Sequence, residues 1–227
     1  MPLILSIETA TGVCAVALAR DGNLLSVKEE SKGYAHSENI TMFIEAVCKS
    51  AGIALQELDA IAVSKGPGSY TGLRIGVSTA KGLCYALGKP LIAIDTLKSL
   101  ANTFLISNDQ EPPSVLVPML DARRMEVYCS VFDASLNELS PPAAVIVNEN
   151  SFSGLFRQGP VAFFGDGAAK CEAVIGGNPN AIFSTVRQSA AGMIALAEEK
   201  FAKHEFEDVS LFEPFYLKEA MIGKPAG

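Results

Sequence analysis

Residues 64–83, SKGPGSYTGLRIGVSTAKGL, gather five glycines and one proline between an apolar run and a helical pattern. Glycine admits positive φ, and amides at a helix start point outward with partial positive charge. The loop Gly66, Pro67, Gly68, Ser69, Thr71, Gly72 and Arg74 therefore has the ingredients of an anion cradle. Its spacing is GxGxxxG, not the dinucleotide GxGxxG, and no Lys-Ser/Thr pair completes a P-loop. Ser69 sits one place too early for a GxSxG nucleophile elbow. A tight strand-to-helix turn remains the alternative account. Elsewhere catalytic groups are sparse. Neither histidine, His36 or His204, belongs to HExxH, and Ile40 stands four residues after His36, so no metal site is expected. His204 reads as a solvated or capping residue. The five cysteines lack CxxC spacing and read as reduced core residues.

The elements that must hold these groups follow from periodicity. Strands are expected at 3–7, 13–19, 24–30, 58–64 and 90–95, with a hairpin turn at Asp21–Asn23 and helices at about 37–52 and 71–87. The second half repeats the order in fainter form: strands at 115–120, 125–132 and 143–147, a short helix near 150–157, a strand at 161–164, the loop GDGA and another helix. Both halves run β-β-β-α-β-α with a glycine loop after the fourth strand. This predicts an α/β protein of two related lobes, 1–100 and 101–227, joined where SNDQEPPS is polar and proline-rich. Duplicated lobes of this order are the pattern of the actin, sugar kinase and Hsp70 superfamily. There, carboxylates beside strand-end turns hold Mg²⁺ and water around ATP. Glu8, Thr9 and Thr11 lie in what resembles a degraded phosphate hairpin, and Asp121, Gly165, Asp166 and Gly167 follow in the second half. They form a possible vestigial nucleotide site, or else turn and cap residues.

The helix at 71–87 is apolar nearly all round at about 100° per residue. Leu73, Val77, Ala80, Cys84 and Leu87 share one face; Ile75, Thr79, Gly82 and Ala86 share the other. Gly72, Gly76 and Ala80, four apart, would let another helix approach closely. A central core helix and a helix covered by a second protein are both open. Met42 adds apolar character outside the main stripe of the first helix. The net charge of −7 speaks against broad direct contact with nucleic acid. No signal peptide or membrane span is read, and a cytoplasmic location is expected.

ILSIETATGVCAVAL, GPGSYTGLRIG, LDARRMEVY and EPFYLKE, in that order along the whole chain, resemble the TsaB (YeaZ) family. The resemblance implies a tandem actin-like fold and a role as partner of TsaD, the related metal-bearing catalytic subunit. With the ATPase TsaE, these proteins install threonylcarbamoyl on the adenosine beside the anticodon of tRNAs reading ANN codons. It implies no catalytic residues and no metal here, because TsaD's HxxxH is reduced to His36 with Ile40 at the second place. It implies no tightly bound cofactor, with ATP or ADP possible only at the level of the complex, and tRNA held only through the complex. The first two helices would form the homodimer when the chain is alone and also the TsaD face, through His36, Ile40, Met42, Phe43, Tyr70, Gly72, Ile75, Gly76 and Thr79. An actin-like kinase or ATPase and an M22-type glycopeptidase are the alternatives.

Overall fold

The structure, a computed structural model, describes residues 2–31, 36–108 and 110–218, apart from the side chains of 36–38. The first lobe contains β1 (Leu3–Glu8), β2 (Cys14–Arg20), β3 (Asn23–Glu30), α1 (His36–Ala51), β4 (Ala60–Gly66), α2 (Tyr70–Leu87) and β5 (Leu91–Asp95). α3 (Thr96–Ile106) leads to the second lobe: β6 (Val115–Asp121), β7 (Glu126–Asp133), β8 (Glu138–Ile146), α4 (Ser153–Phe156), β9 (Val161–Phe164), α5 (Ala168–Ile175) and β10 (Ala181–Ser184). α6 (Ile194–Ala202) closes the helical part of the chain.

The two sheets have the same topology. The first is ordered β3-β2-β1-β4-β5, the second β8-β7-β6-β9-β10. In each, the first three strands pair antiparallel and the last two join in parallel. This is the tandem actin-like α/β fold, and it explains the faded internal repeat.

Local chemistry sets the element ends. Asp21 and Gly22 both take positive φ, which gives the primed two-residue turn that suits a hairpin's twist. The Ser69 hydroxyl caps α2 and Gly88 ends it at φ 65°. Asp95 caps α3 by accepting from the Lys98 amide at 3.0 Å. β8 begins before the expected 143 because Pro141 and Pro142 are tolerated on an edge strand, where a missing amide costs no ladder bond.

β1 is buried along its whole length because both faces of its sheet are covered. Leu3, Leu5 and Ile7 pack toward α1 and α2 in one core. Ile4, with Ala60, Ala62, Ile92 and Ile94, packs under Met193, Leu196 and Ala197. So α6, which ends the second lobe, lies on the first lobe's sheet. α3 does the reverse: Leu97, Leu100, Ala101 and Phe104 pack with Leu116, Leu120, Phe132 and Phe164 of the second sheet. The expected division at 100/101 falls inside α3. All five cysteines are free and buried. Among the described residues, no helix is long and apolar enough to cross a membrane.

Candidate functional site

The chain itself fills the glycine loop. Gly66 ends β4 at φ 118°, and a side chain there would overlap the Phe215 carbonyl oxygen. At Gly68 a Cβ would overlap the Ala10 carbonyl oxygen, which accepts from the Ser69 amide at 2.7 Å. The loop is a strand-to-helix turn whose close approaches are to the β1–β2 connection and to the Phe215 backbone. The second lobe repeats the device. A Cβ at Gly165, at φ 101°, would overlap the Met119 carbonyl, and Gly167 donates its amide to that carbonyl at 3.0 Å.

Four residues expected on a partner face belong to the chain's own interior. Gly72 and Gly76 leave room for Thr9, not for another protein's helix. A Cβ at either position would overlap the Thr9 carbonyl or hydroxyl oxygen, and that hydroxyl donates to the Gly72 carbonyl at 2.8 Å. Ile40 is 1 % exposed and Phe43 is buried beside Val47 and Cys48, because both fall on α1's inward stripe. Thr71, Arg74, Tyr70 and Met42 are exposed, while Ile75 and Thr79 are half-buried. The α2 helix is therefore not apolar all round: its outer strip is Thr71, Arg74, Ser78, Gly82, Tyr85 and Ala86. Tyr85 is 89 % exposed and was not expected there. The signal for it is its place seven residues after Ser78 and eleven after Arg74, on the same polar strip. Between α1 and α2 runs a groove of about 580 Å³ lined by Thr41, Ile44, Cys48, Ile53, Leu55, Thr79 and Leu83. His36 opens α1, but its side chain lies outside the described residues, as does the Glu219 end of the C-terminal motif.

The nucleotide-site residues separate. Thr11, Gly165 and Asp166 line a cleft of about 420 Å³ between the lobes, together with Gly12, Glu172, Arg187 and Gln188. Thr9 does not line it and is buried against α2. Asp121 is exposed and pairs with Lys170, while its amide donates to Asp166 Oδ1 at 3.0 Å. Burial raises the Asp166 carboxyl. Glu8 does not line the cleft. Its Oε1 accepts from the Ala10 amide at 2.6 Å and the Ser64 hydroxyl at 3.1 Å, and its Oε2 accepts from Gln188 Nε2 at 2.7 Å. Burial pushes this carboxyl up to about 7, against those three hydrogen bonds. Gln188 is the functional-looking residue that the sequence did not single out. It joins Glu8, Ser99 and the Thr96 carbonyl across the lobes, while its Oε1 has no partner among the described residues. The cleft fits a nucleotide's phosphates poorly. Both glycine loops are closed by backbone, and Arg187 faces the cleft alongside Asp166 and Glu172. No cluster of three or more His, Cys, Asp or Glu side chains with metal-binding geometry occurs among the described residues.

A protein-family model described as "TsaD: tRNA N6-adenosine threonylcarbamoyltransferase" matches residues 29–222. A Bacillus subtilis relative, "tRNA threonylcarbamoyladenosine biosynthesis protein TsaB", is 30 % identical over 165 residues, covering 71 % of this chain and 70 % of the relative. A Haemophilus influenzae protein of the same name is 33 % identical over 127 residues, covering 56 % of this chain. The chain spans about half of that relative's length, 52 %. The solved structure "YeaZ from Pseudomonas aeruginosa" superposes with a TM-score of 0.83 at 25 % identity, over 96 % of this chain and all of that one. On the matched length, the sequence identity and the superposition, the chain belongs to the TsaB/YeaZ family, within the wider TsaD-like group.

Proposed function

We propose that this chain is a non-catalytic subunit of the machinery that threonylcarbamoylates the adenosine next to the anticodon in tRNAs reading ANN codons. Its partner is a TsaD-like catalytic subunit, with a TsaE-like ATPase in the same assembly, and it pairs with itself when alone. The observation that carries this reading is the apolar groove between α1 and α2, with Met42, 55 % exposed, elsewhere on the one helix and Tyr85, 89 % exposed, elsewhere on the other. Exposed aromatic and methionine side chains are what a protein interface uses as anchors, and an apolar groove is what it fills. The wider family match adds support. A chain related to its partner can use one face for both a two-fold homodimer and a pseudo-two-fold heterodimer. The internal use of Glu8, Thr9 and the glycine loops speaks against a kinase, an ATPase or a peptidase centred on those residues.

The test is a binding and reconstitution experiment. Tyr85→Glu with Met42→Glu is expected to abolish self-association and TsaD binding in sedimentation, with an unchanged melting temperature, because both side chains stand in solvent. Threonylcarbamoylation by the assembled subunits should fall with it. Retention of both associations would remove this face from the reading.

A further inference from the structure

The C-terminal motif EPFYLK does not line the α1–α2 groove, yet it makes many contacts. Residues 207–218 form a strap along the first lobe. The Glu207 amide donates to the Leu91 carbonyl at 2.9 Å, Lys81 Nζ donates to the Phe212 carbonyl at 2.9 Å, and the Phe215 amide donates to the Lys65 carbonyl at 2.7 Å. The strap lays the Tyr216 ring 4.9 Å from that of Tyr70 at a tilt of 36°, and Arg74 sits over the Tyr70 ring at 5.5 Å. Two residues on, Lys218 pairs with Glu126 at the start of β7. The Glu126 amide donates to the Arg123 carbonyl at 3.1 Å, so the strap ends beside the β6–β7 turn. In that turn Arg123 and Arg124 both take positive φ, 71° and 49°, and both are exposed.

Arg74, Tyr70, Tyr216, Lys218, Arg123 and Arg124 thus follow one another from the first lobe to the second, and together they make up a candidate ledge. Its carboxylates are largely engaged: Glu126 by Lys218 and Asp121 by Lys170. Among the described residues the guanidiniums of Arg123 and Arg124 form no ion pair, and Arg74 bonds only the neutral Tyr70 hydroxyl. Glu213 is the one nearby carboxylate acting on Tyr216, and Arg74 acts on it in the opposite sense. On a chain of net charge −7, this is a local basic and aromatic strip.

We propose that this ledge binds a single-stranded stretch of RNA, with the arginines on phosphates and the tyrosine pair as a platform for bases. Guanidiniums on both sides of the lobe boundary, with a packed tyrosine pair beside one of them, suit a polymer that alternates phosphates with π faces. An acidic protein segment would use the arginines and leave the rings without a role. The inference goes beyond the subunit reading and does not depend on a TsaD-like partner. A short RNA footprint on an acidic protein gives weak binding alone, so the ledge would act as one contact within a larger assembly.

The test uses the full chain, a short mixed-sequence oligoribonucleotide and a polyglutamate peptide, with fluorescence anisotropy over a salt series starting at low salt. The RNA is expected to bind and the peptide to bind much more weakly. Arg123→Glu with Arg124→Glu should weaken RNA binding about tenfold or more. It should also flatten the log–log salt slope by about 1.4, at roughly 0.7 per phosphate contact on a single strand. Tyr216→Ser should weaken binding with little change in slope. Arg74→Gln serves as the second variant if the strap detaches. Lys203→Glu on α6, a charge change away from the ledge, should leave binding unaltered. Absence of RNA binding by the wild type at low salt, equal losses in the Lys203 and double-arginine variants, or peptide binding as tight as RNA would each overturn the proposal. TsaD binding by the double-arginine variant, measured in parallel, keeps this outcome separate from that of the subunit reading.

Discussion

Glu8 shows how a residue that looks catalytic in sequence becomes structural. It ends β1 beside a turn, as a ligand-facing carboxylate would, but its oxygens are taken by Ala10, Ser64 and Gln188. Its position was legible and its environment was not, because Gln188 lies 180 residues away in sequence. The burial has a measurable pH consequence. The unfolded carboxyl titrates near 4.5 and the folded one near 7. Between these values the folded chain holds a proton that the unfolded chain has released, so stability falls as pH rises from 4.5 to 7. The size for one fully buried group is about 3 kcal/mol. Glu8→Gln removes the titration, and a turn of the Gln188 amide would offer its Oε1, which has no partner among the described residues, to the new side-chain amide. The variant should therefore gain stability over the wild type between pH 5 and pH 8 in denaturant titrations. Parallel stability curves for the two proteins over that range would refute this account.

At the scale of elements, α2 tests what periodicity can deliver. Its limits, its cap and the inward row Leu73, Val77, Ala80 and Cys84 follow from a 3.6-residue pattern. What periodicity could not say was which neighbour the glycines admit. A helix with Gly at 72 and 76 looks ready for another helix, yet the neighbour is Thr9, contributed by a turn that is distant in sequence. The same limit hid α3 and β10. α3 carries Ser99, Asn102 and Thr103 on buried positions, where the Asn102 amide donates to the Gly192 carbonyl at 2.9 Å and Thr103 to the Ser99 carbonyl at 2.9 Å, so its polar content disguised a buried helix. β10 is only four residues long and half-buried. The seat of α2 on Thr9 predicts that Gly76→Ala destabilises the protein, although alanine is the better helix former by about 1 kcal/mol. Overlap with a buried threonine in a packed interior should outweigh that gain and leave a net loss of about 1–3 kcal/mol. Gly82→Ala, on the open strip with no atom near its Cβ, should instead be neutral or stabilising. Thermal melts of the two variants that move in the same direction would show the Thr9 seat to be compliant.

At the scale of the whole molecule, the duplication was readable because each lobe repeats the same strand order and the same glycine loop after its fourth strand. The way the lobes are joined was not readable. α3 and α6 each follow one sheet and pack on the other, an exchange that depends only on long-range contacts. Polar bonds reinforce it. Gln188 reaches Glu8, and Glu29 on β3 accepts from the Ala190 amide at 3.1 Å and from the Ser189 hydroxyl at 2.5 Å. An exchange of this kind makes the lobes unfold together, because neither sheet keeps a covered inner face when the other lobe opens. Phe164 lets this be measured. It is fully buried on β9 and stacks on Phe104 of α3 with centroids 4.3 Å apart and planes at 11°. Phe164→Ala should cost about 3–5 kcal/mol, the usual range for a buried phenylalanine. In a cooperative molecule that loss appears everywhere. Calorimetry should show one transition shifted down as a whole, and amide exchange should speed up in β1 and β4 of the first lobe as much as in β6 and β9 of the second. Two separated transitions, or faster exchange confined to the second lobe, would mean that the α3–α6 exchange does not couple the halves. The same measurement on Val47→Ala, whose side chain is buried in the first lobe between α1 and its sheet, gives the reciprocal arm. Exchange rates in the second sheet should rise in step with those in the first.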